Sequence, residues 1–175
     1  MTKTNQSIKD LTLIVVATSI LFVQQMALSF IPNVQLSVLL VILYTRLFGF
    51  RKTILIVTIH VIIVNLFSPL GPVLPVLLPA MYIAWLLIPV LLSTVFKTLD
   101  NAIGLAIFAF IYGFVYGWIF IPFNVWLLDV PFLPYLLADL PFEVMMSVAN
   151  FLSVLWLYQP LKRALQTHMM LPEQP

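Results

Sequence analysis

Cysteine is missing altogether from this 175-residue chain, which removes disulfides, thiolate metal sites and a cysteine nucleophile together. Charge is almost missing as well. Asp, Glu, Lys and Arg make up 8% of the residues, against about a quarter in an average soluble domain. So few charges could not cover a globule of this size with a polar surface, which excludes a soluble domain. The same scarcity excludes a disordered chain, since disorder requires low hydrophobicity and high charge. A formal net charge of +2 is too small to point to nucleic acid. No G-x-x-x-x-G-K-[ST] occurs, so ATP binding through a P-loop is excluded. H-E-x-x-H, G-x-S-x-G and clustered histidines are also missing, so neither catalysis nor a metal site nor a cofactor is expected. No low-complexity stretch, second domain or inverted repeat with paired broken helices interrupts the chain.

Hydrophobicity fills the space that charge leaves. Apolar residues make up 63% of the chain, and the mean hydropathy is +1.14. The chain therefore reads as one all-α polytopic membrane domain over residues 1–175. An open sheet in lipid would leave backbone groups unpaired, and the alternating pattern of barrel strands is absent. A spanning helix needs about 20 predominantly apolar residues. Six segments are predicted, near 11–31, 34–48, 53–67, 74–96, 102–121 and 140–158. The second and third are short, so their ends are expected in the interface or against neighbouring helices. Ala27-Leu28-Ser29 faintly resembles a signal-peptide cleavage site. However, the apolar run from Leu11 is longer than an h-region, and its removal would spoil the charge pattern, so it is read as a span.

The eight basic residues set the orientation. Lys3 and Lys9 precede the first segment, and Arg46, Arg51 and Lys52 bracket the link between the second and third. Lys97 follows the fourth, and Lys162 and Arg163 follow the sixth. All fall on one side of a six-span zigzag, which places both termini in the cytoplasm by the positive-inside rule. With Asp10, Asp100 and Glu173 that side carries +5. The outer side holds Asp129, Asp139 and Glu143 without a basic residue, giving −3.

Polar residues inside such segments are the candidate site. Asp139, Glu143 and Asn150 fall on one helical face of the sixth segment, with Asp139 expected as a capping acid beside Pro141. Either the acids complement the helix N-terminus and Asn150 bonds a neighbouring helix, or the three form a polar stripe running from the outer surface into the bundle. Carboxylates at that depth are costly and mark sites. Ala109, Gly113 and Gly117 form a small-residue ridge for close helix contact. Tyr112 and Tyr116 lie on the adjacent face, either packing or lining a pocket, with Trp118 nearby. The outer link 122–137, with Asn124, Trp126, Asp129 and three prolines, is too broken for a helix. It is read as an aromatic loop over the outer mouth, or as an interfacial anchor. Residues 31–35, including Asn33 and Gln35, make a second short polar cluster on that side, and residues 68–72 a rigid uncharged link. His60, Gln24 and Gln25 are read as interhelical hydrogen-bonding groups or, for His60, a proton carrier.

Phe30-Ile31-Pro32-Asn33-Val34-Gln35-Leu36, Tyr44-Thr45-Arg46-Leu47-Phe48-Gly49-Phe50-Arg51-Lys52-Thr53 and Ala138-Asp139-Leu140-Pro141-Phe142-Glu143, on six spans with polar groups at the outer mouth, resemble the S components of energy-coupling factor vitamin importers. The resemblance is one of pattern and size over nearly the whole chain. It implies a multi-pass substrate-binding subunit in a prokaryotic plasma membrane, not an enzyme. Such a subunit captures a vitamin outside, docks on a shared transmembrane coupling subunit with two ATPases, and releases the vitamin inward. By that resemblance the pocket candidates are Asn33, Gln35, Tyr82, Trp85, Tyr112, Tyr116, Asn124, Trp126, Glu143 and Asn150. Many S components carry Ala-xxx-Ala for docking in the first helix, whereas here Ala17 is followed by Leu21. The absence of Lys and Arg from the outer half disfavours anionic folate, biotin or pantothenate. Among neutral or cationic vitamins the look is nearest to cobalamin-type members, with thiamine and riboflavin as alternatives. A rod-shape-determining structural protein is the rival of similar size, though the Gly-rich span with an intramembrane Asp expected of it is missing.

Overall fold

A computed structural model describes residues 3–31, 33–67 and 75–169. The expected rigid link at 68–72, together with Pro32, Leu74 and Glu173, lies outside the described residues. Six α-helices account for most of what is described: α1 Lys3–Ala27, α2 Ser37–Phe48, α3 Phe50–Leu66, α4 Leu78–Ser93, α5 Ala102–Leu128 and α6 Phe132–Met169. A 3-10 turn, Pro75–Leu77, leads into α4. No strand occurs among the described residues.

Among the described residues, four stretches are long and apolar enough to cross a membrane: Ser7–Ala27, Pro75–Ser93, Ala102–Leu128 and Phe132–Thr167. Their outward faces are apolar too, with Leu11, Val15 and Ile20 of α1 and Ile103, Ile107 and Ile111 of α5 exposed. A surface of that kind is stable against lipid and not against water.

The shortest α-helix sits at the centre. Ten of the twelve residues of α2 are buried, and α2 packs against every other α-helix. Its start is finished by α1, where Gln24 Oε1 accepts from the Leu36 amide at 2.9 Å and Gln24 Nε2 donates to Ser37 Oγ at 2.6 Å. At its other end Gly49 adopts φ 80°, a left-handed conformation that glycine accepts at no steric cost. That single residue turns the chain directly into α3.

The basic residues gather at one end of the bundle. Lys52 at the start of α3 pairs with Asp10 of α1 at 2.6 Å. Arg46 at the end of α2 donates to the carbonyls of Leu92, Phe96, Lys97 and Leu99 at 3.2, 2.7, 3.0 and 2.5 Å. It thus satisfies one carbonyl in the last turn of α4 and three in the α4–α5 turn that follows. Asp100, just before α5, accepts from Tyr158 of α6 at 2.5 Å and pairs with Lys162. Starts of α1, α3 and α5 therefore meet ends of α2, α4 and α6, and successive helices alternate in direction.

Two expectations are corrected at the opposite end. Residues 122–137 are not a broken loop. α5 runs through Pro122 to Leu128, and α6 begins at Phe132, leaving only 129–131 between them. Proline is tolerated in membrane helices because neighbours satisfy the freed backbone groups, and Pro131 and Pro134 stand at the start of α6 where a missing N–H is harmless. Asp129, at φ 51°, ends α5; a left-handed cap suits Asp. Asp139 is consequently no cap, since it lies about two turns inside α6.

Candidate functional site

The long hairpin of α5 and α6 is the most extensive packing in the molecule, and glycine makes it close. A Cβ placed on Gly113 would lie 2.7 Å from Ser147 Cα, and one on Gly117 would lie 2.9 Å from Glu143 Cδ. Each glycine of the small-residue ridge thus seats one polar residue of α6. Only a hydrogen leaves room there.

Glu143, Ser147 and Asn150 occupy that seam, 2%, 0% and 1% exposed. Spacings of four and three put them on one face of α6, over about 10 Å of helix. Glu143 Oε2 accepts from Trp118 Nε1 at 3.1 Å. The remaining polar atoms are not so provided: Glu143 Oε1, Ser147 Oγ and Asn150 Nδ2 are buried without a hydrogen-bond partner. An unmet buried polar atom costs about 1–3 kcal/mol, and a charged one more, so three in a row is an expensive arrangement for packing alone. The row presents an acceptor, then a hydroxyl, then an amide donor.

The predicted site residues divide into two groups on either side of α5. Asn33 belongs with the seam: it is exposed at φ 58°, and its Nδ2 donates to the Phe142 carbonyl at 3.3 Å, next to Glu143. Asn124, at the end of α5, lies beside Tyr135 at the start of α6. Gln35 accepts from Ser37 Oγ at 3.1 Å, at the start of α2.

The aromatic candidates lie on α4 or on the side of α5 turned toward it. Tyr112 donates to the Ala84 carbonyl at 2.7 Å, and Tyr82 shares a 3.0 Å hydrogen bond with Thr58. Trp85 meets Tyr116 edge-on at 5.5 Å and His60 at 6.0 Å. This layer is built into the core, with Trp85 and Tyr112 each 2% exposed. Trp126 joins neither group, being 73% exposed.

Ser147 belongs to the seam without being a sequence candidate, and Trp118, expected only near Tyr112 and Tyr116, belongs to it as well. The signal for Ser147 was present, because it stands four residues after Glu143 and three before Asn150. Trp118 carried no such signal, since its indole crosses from α5 to α6. Gln25 Oε1 and His60 Nε2 share a hydrogen bond of 2.9 Å between α1 and α3, while His60 Nδ1 is buried without a partner.

Compared with protein-family models, with curated proteins and with solved structures, the chain matches none.

Proposed function

We propose that this chain is the substrate-binding S component of an energy-coupling factor importer, crossing a prokaryotic plasma membrane six times with both termini inside. It takes a vitamin from the outer side against the polar row of α6, where the α5–α6 seam must part to admit it, and hands it on through a shared transmembrane coupling subunit and two ATPases. The observation that carries this reading is the row of unpartnered atoms on Glu143, Ser147 and Asn150. Polar groups inside an apolar bundle are costly and mark ligand or ion paths, and a ligand that completes these three repays that cost.

Ligand chemistry follows from the same atoms. A buried carboxylate favours hydrogen-bond donors or positive charge, and Lys9, Arg46, Lys52, Lys97 and Lys162 sit toward the other end of the bundle, away from it. Cobalamin, which carries amide donors, is the first candidate; thiamine and riboflavin are the alternatives.

The test is binding of cobalamin, thiamine and riboflavin to the purified protein by calorimetry, with Glu143→Gln beside the parent. Saturable binding of one of them, weakened in the variant, is expected, together with co-purification of ATPase subunits. Binding of none, with cell-wall synthesis proteins co-purifying, overturns the reading in favour of a structural protein of the rod-shape-determining type.

A further inference from the structure

At the basic end of the bundle, away from the seam, two hollows share a wall. One is polar, about 120 Å³, and is lined by Arg46, Lys97, Thr98, Asp100, Lys162 and Gln166. The other is apolar, about 190 Å³, and runs between α4 and α5 past Phe96, Leu99, Gly104, Ile107 and Ile111. The wall is the α4–α5 turn. Its residues alternate: Phe96 and Leu99 line the apolar side, while Lys97, Thr98 and Asp100 line the polar side.

The polar hollow carries uncompensated positive charge. Three cations and one carboxylate line it, a balance of +2. Among the described residues the ion pairs are Asp10–Lys52 and Asp100–Lys162, so Lys97 has no carboxylate partner. Arg46 spends both terminal nitrogens on neutral carbonyls, which leave its charge intact, and its Nε is buried without an acceptor. A hollow of this kind suits a phosphate group, held by ammonium groups and a threonine hydroxyl within the positive field of the Arg46 guanidinium. The adjoining slot is too apolar for a hydrated ion, and its lining suits an acyl chain.

We infer that this end of the bundle binds one anionic phospholipid, its phosphate in the Arg46–Lys97–Lys162 hollow and one acyl chain along Ile107 and Ile111. The site is independent of the vitamin reading, because it shares no residue with the α5–α6 seam. It also gives the four-carbonyl clamp of Arg46 a second use. The clamp fixes the α4–α5 turn in the one shape that separates a polar wall from an apolar one.

The experiment uses the full chain in mild detergent, offered dioleoyl phosphatidylglycerol and dioleoyl phosphatidylcholine in equal amounts and analysed by native mass spectrometry. Inorganic phosphate is tested separately by its effect on Tm. Selective retention of phosphatidylglycerol is expected. Lys97→Gln is expected to weaken that retention about fivefold, the effect of one lysine near an anionic lipid surface. Its lipid-free Tm should match the parent, because Lys97 has no ion-pair partner. Ile107→Trp fills the apolar slot and is expected to reduce lipid retention with Lys97 in place. Equal retention of the two lipids, or no effect of Lys97→Gln, overturns the site. Protection by inorganic phosphate equal to that by the lipid, with Ile107→Trp silent, leaves a phosphate site and overturns the lipid assignment.

Discussion

Replacing Gly113 with alanine probes how closely α5 and α6 approach, and the structure fixes the size of the effect. The new Cβ would stand 2.7 Å from Ser147 Cα and 3.0 Å from its Cβ. Ordinary van der Waals contact begins at 3.4 Å, so the pair is 0.7 Å too close, the difference of the two distances. Because Ser147 Cα is backbone, no rotamer change relieves the overlap, and α6 itself must shift. Overpacking of this order costs about 1–3 kcal/mol. Alanine returns about 1 kcal/mol through its better helix propensity, which leaves a net loss of roughly 0–2 kcal/mol. Gly117→Ala is the internal comparison. Its Cβ meets only side-chain atoms of Glu143, with Cδ and Cγ at 2.9 Å, and these can swing aside. Gly117→Ala is therefore expected to keep the fold and disturb the hydrogen bond from Trp118, whereas Gly113→Ala loosens the hairpin. Thermal unfolding in detergent, followed by tryptophan fluorescence, separates the two. A Gly113→Ala protein more stable than the parent by the propensity gain alone would show that the helices do not touch there, and the reasoning about the seam would fail with it.

Glu143→Gln keeps the shape of the side chain and removes its charge. Folded protein is expected at the parent's level, while ligand affinity falls about tenfold to a hundredfold, the range for a hydrogen bond to a charged group, read by calorimetry. Arg46→Lys keeps the charge and loses the planar fork. Carbonyls of the α4–α5 turn then lack donors, and denaturant unfolding is expected to register a loss of about 1–3 kcal/mol. Asp100 gives a pH dependence. Burial pushes its carboxyl up, but hydrogen bonds from Lys162 and Tyr158 and the charges of Lys162 and Arg46 outweigh this, leaving it below the ordinary 3.8. A folded value below the unfolded one adds stability that is present above the unfolded value and lost as pH falls through the folded one. The parent's Tm should therefore drop in acid below about pH 4, while Asp100→Asn starts lower at neutral pH and lacks this component.

The class of the protein was legible because it depends on composition: helices long and apolar enough for a membrane follow from runs such as 102–121. Gly113, Gly117, Glu143 and Asn150 were also legible, since spacings of four and seven on a helix have a fixed geometric meaning. What failed was reading proline as a stop. Pro122 in water would have ended α5, but apolar flanks let the helix continue. The split between the seam and the aromatic layer was not readable either. Tyr112 and Gly113 are adjacent in sequence, yet one faces α4 and the other α6. Sequence also held no sign that α2 is central, because a helix apolar on every side has no preferred face to betray its surroundings.

That central position bears on how the molecule is made. Twelve residues of helix extend about 18 Å, well short of a hydrocarbon core of about 30 Å, so α2 alone cannot bridge a bilayer. Its first amide and Ser37 depend on Gln24 of α1, and its sides are covered by five other helices. During synthesis, then, α2 has no stable resting place until later segments emerge. A nascent chain halted after Phe48 is expected to hold it loosely, at the mercy of membrane proteases. Completion of α6 closes the last of the sides of α2.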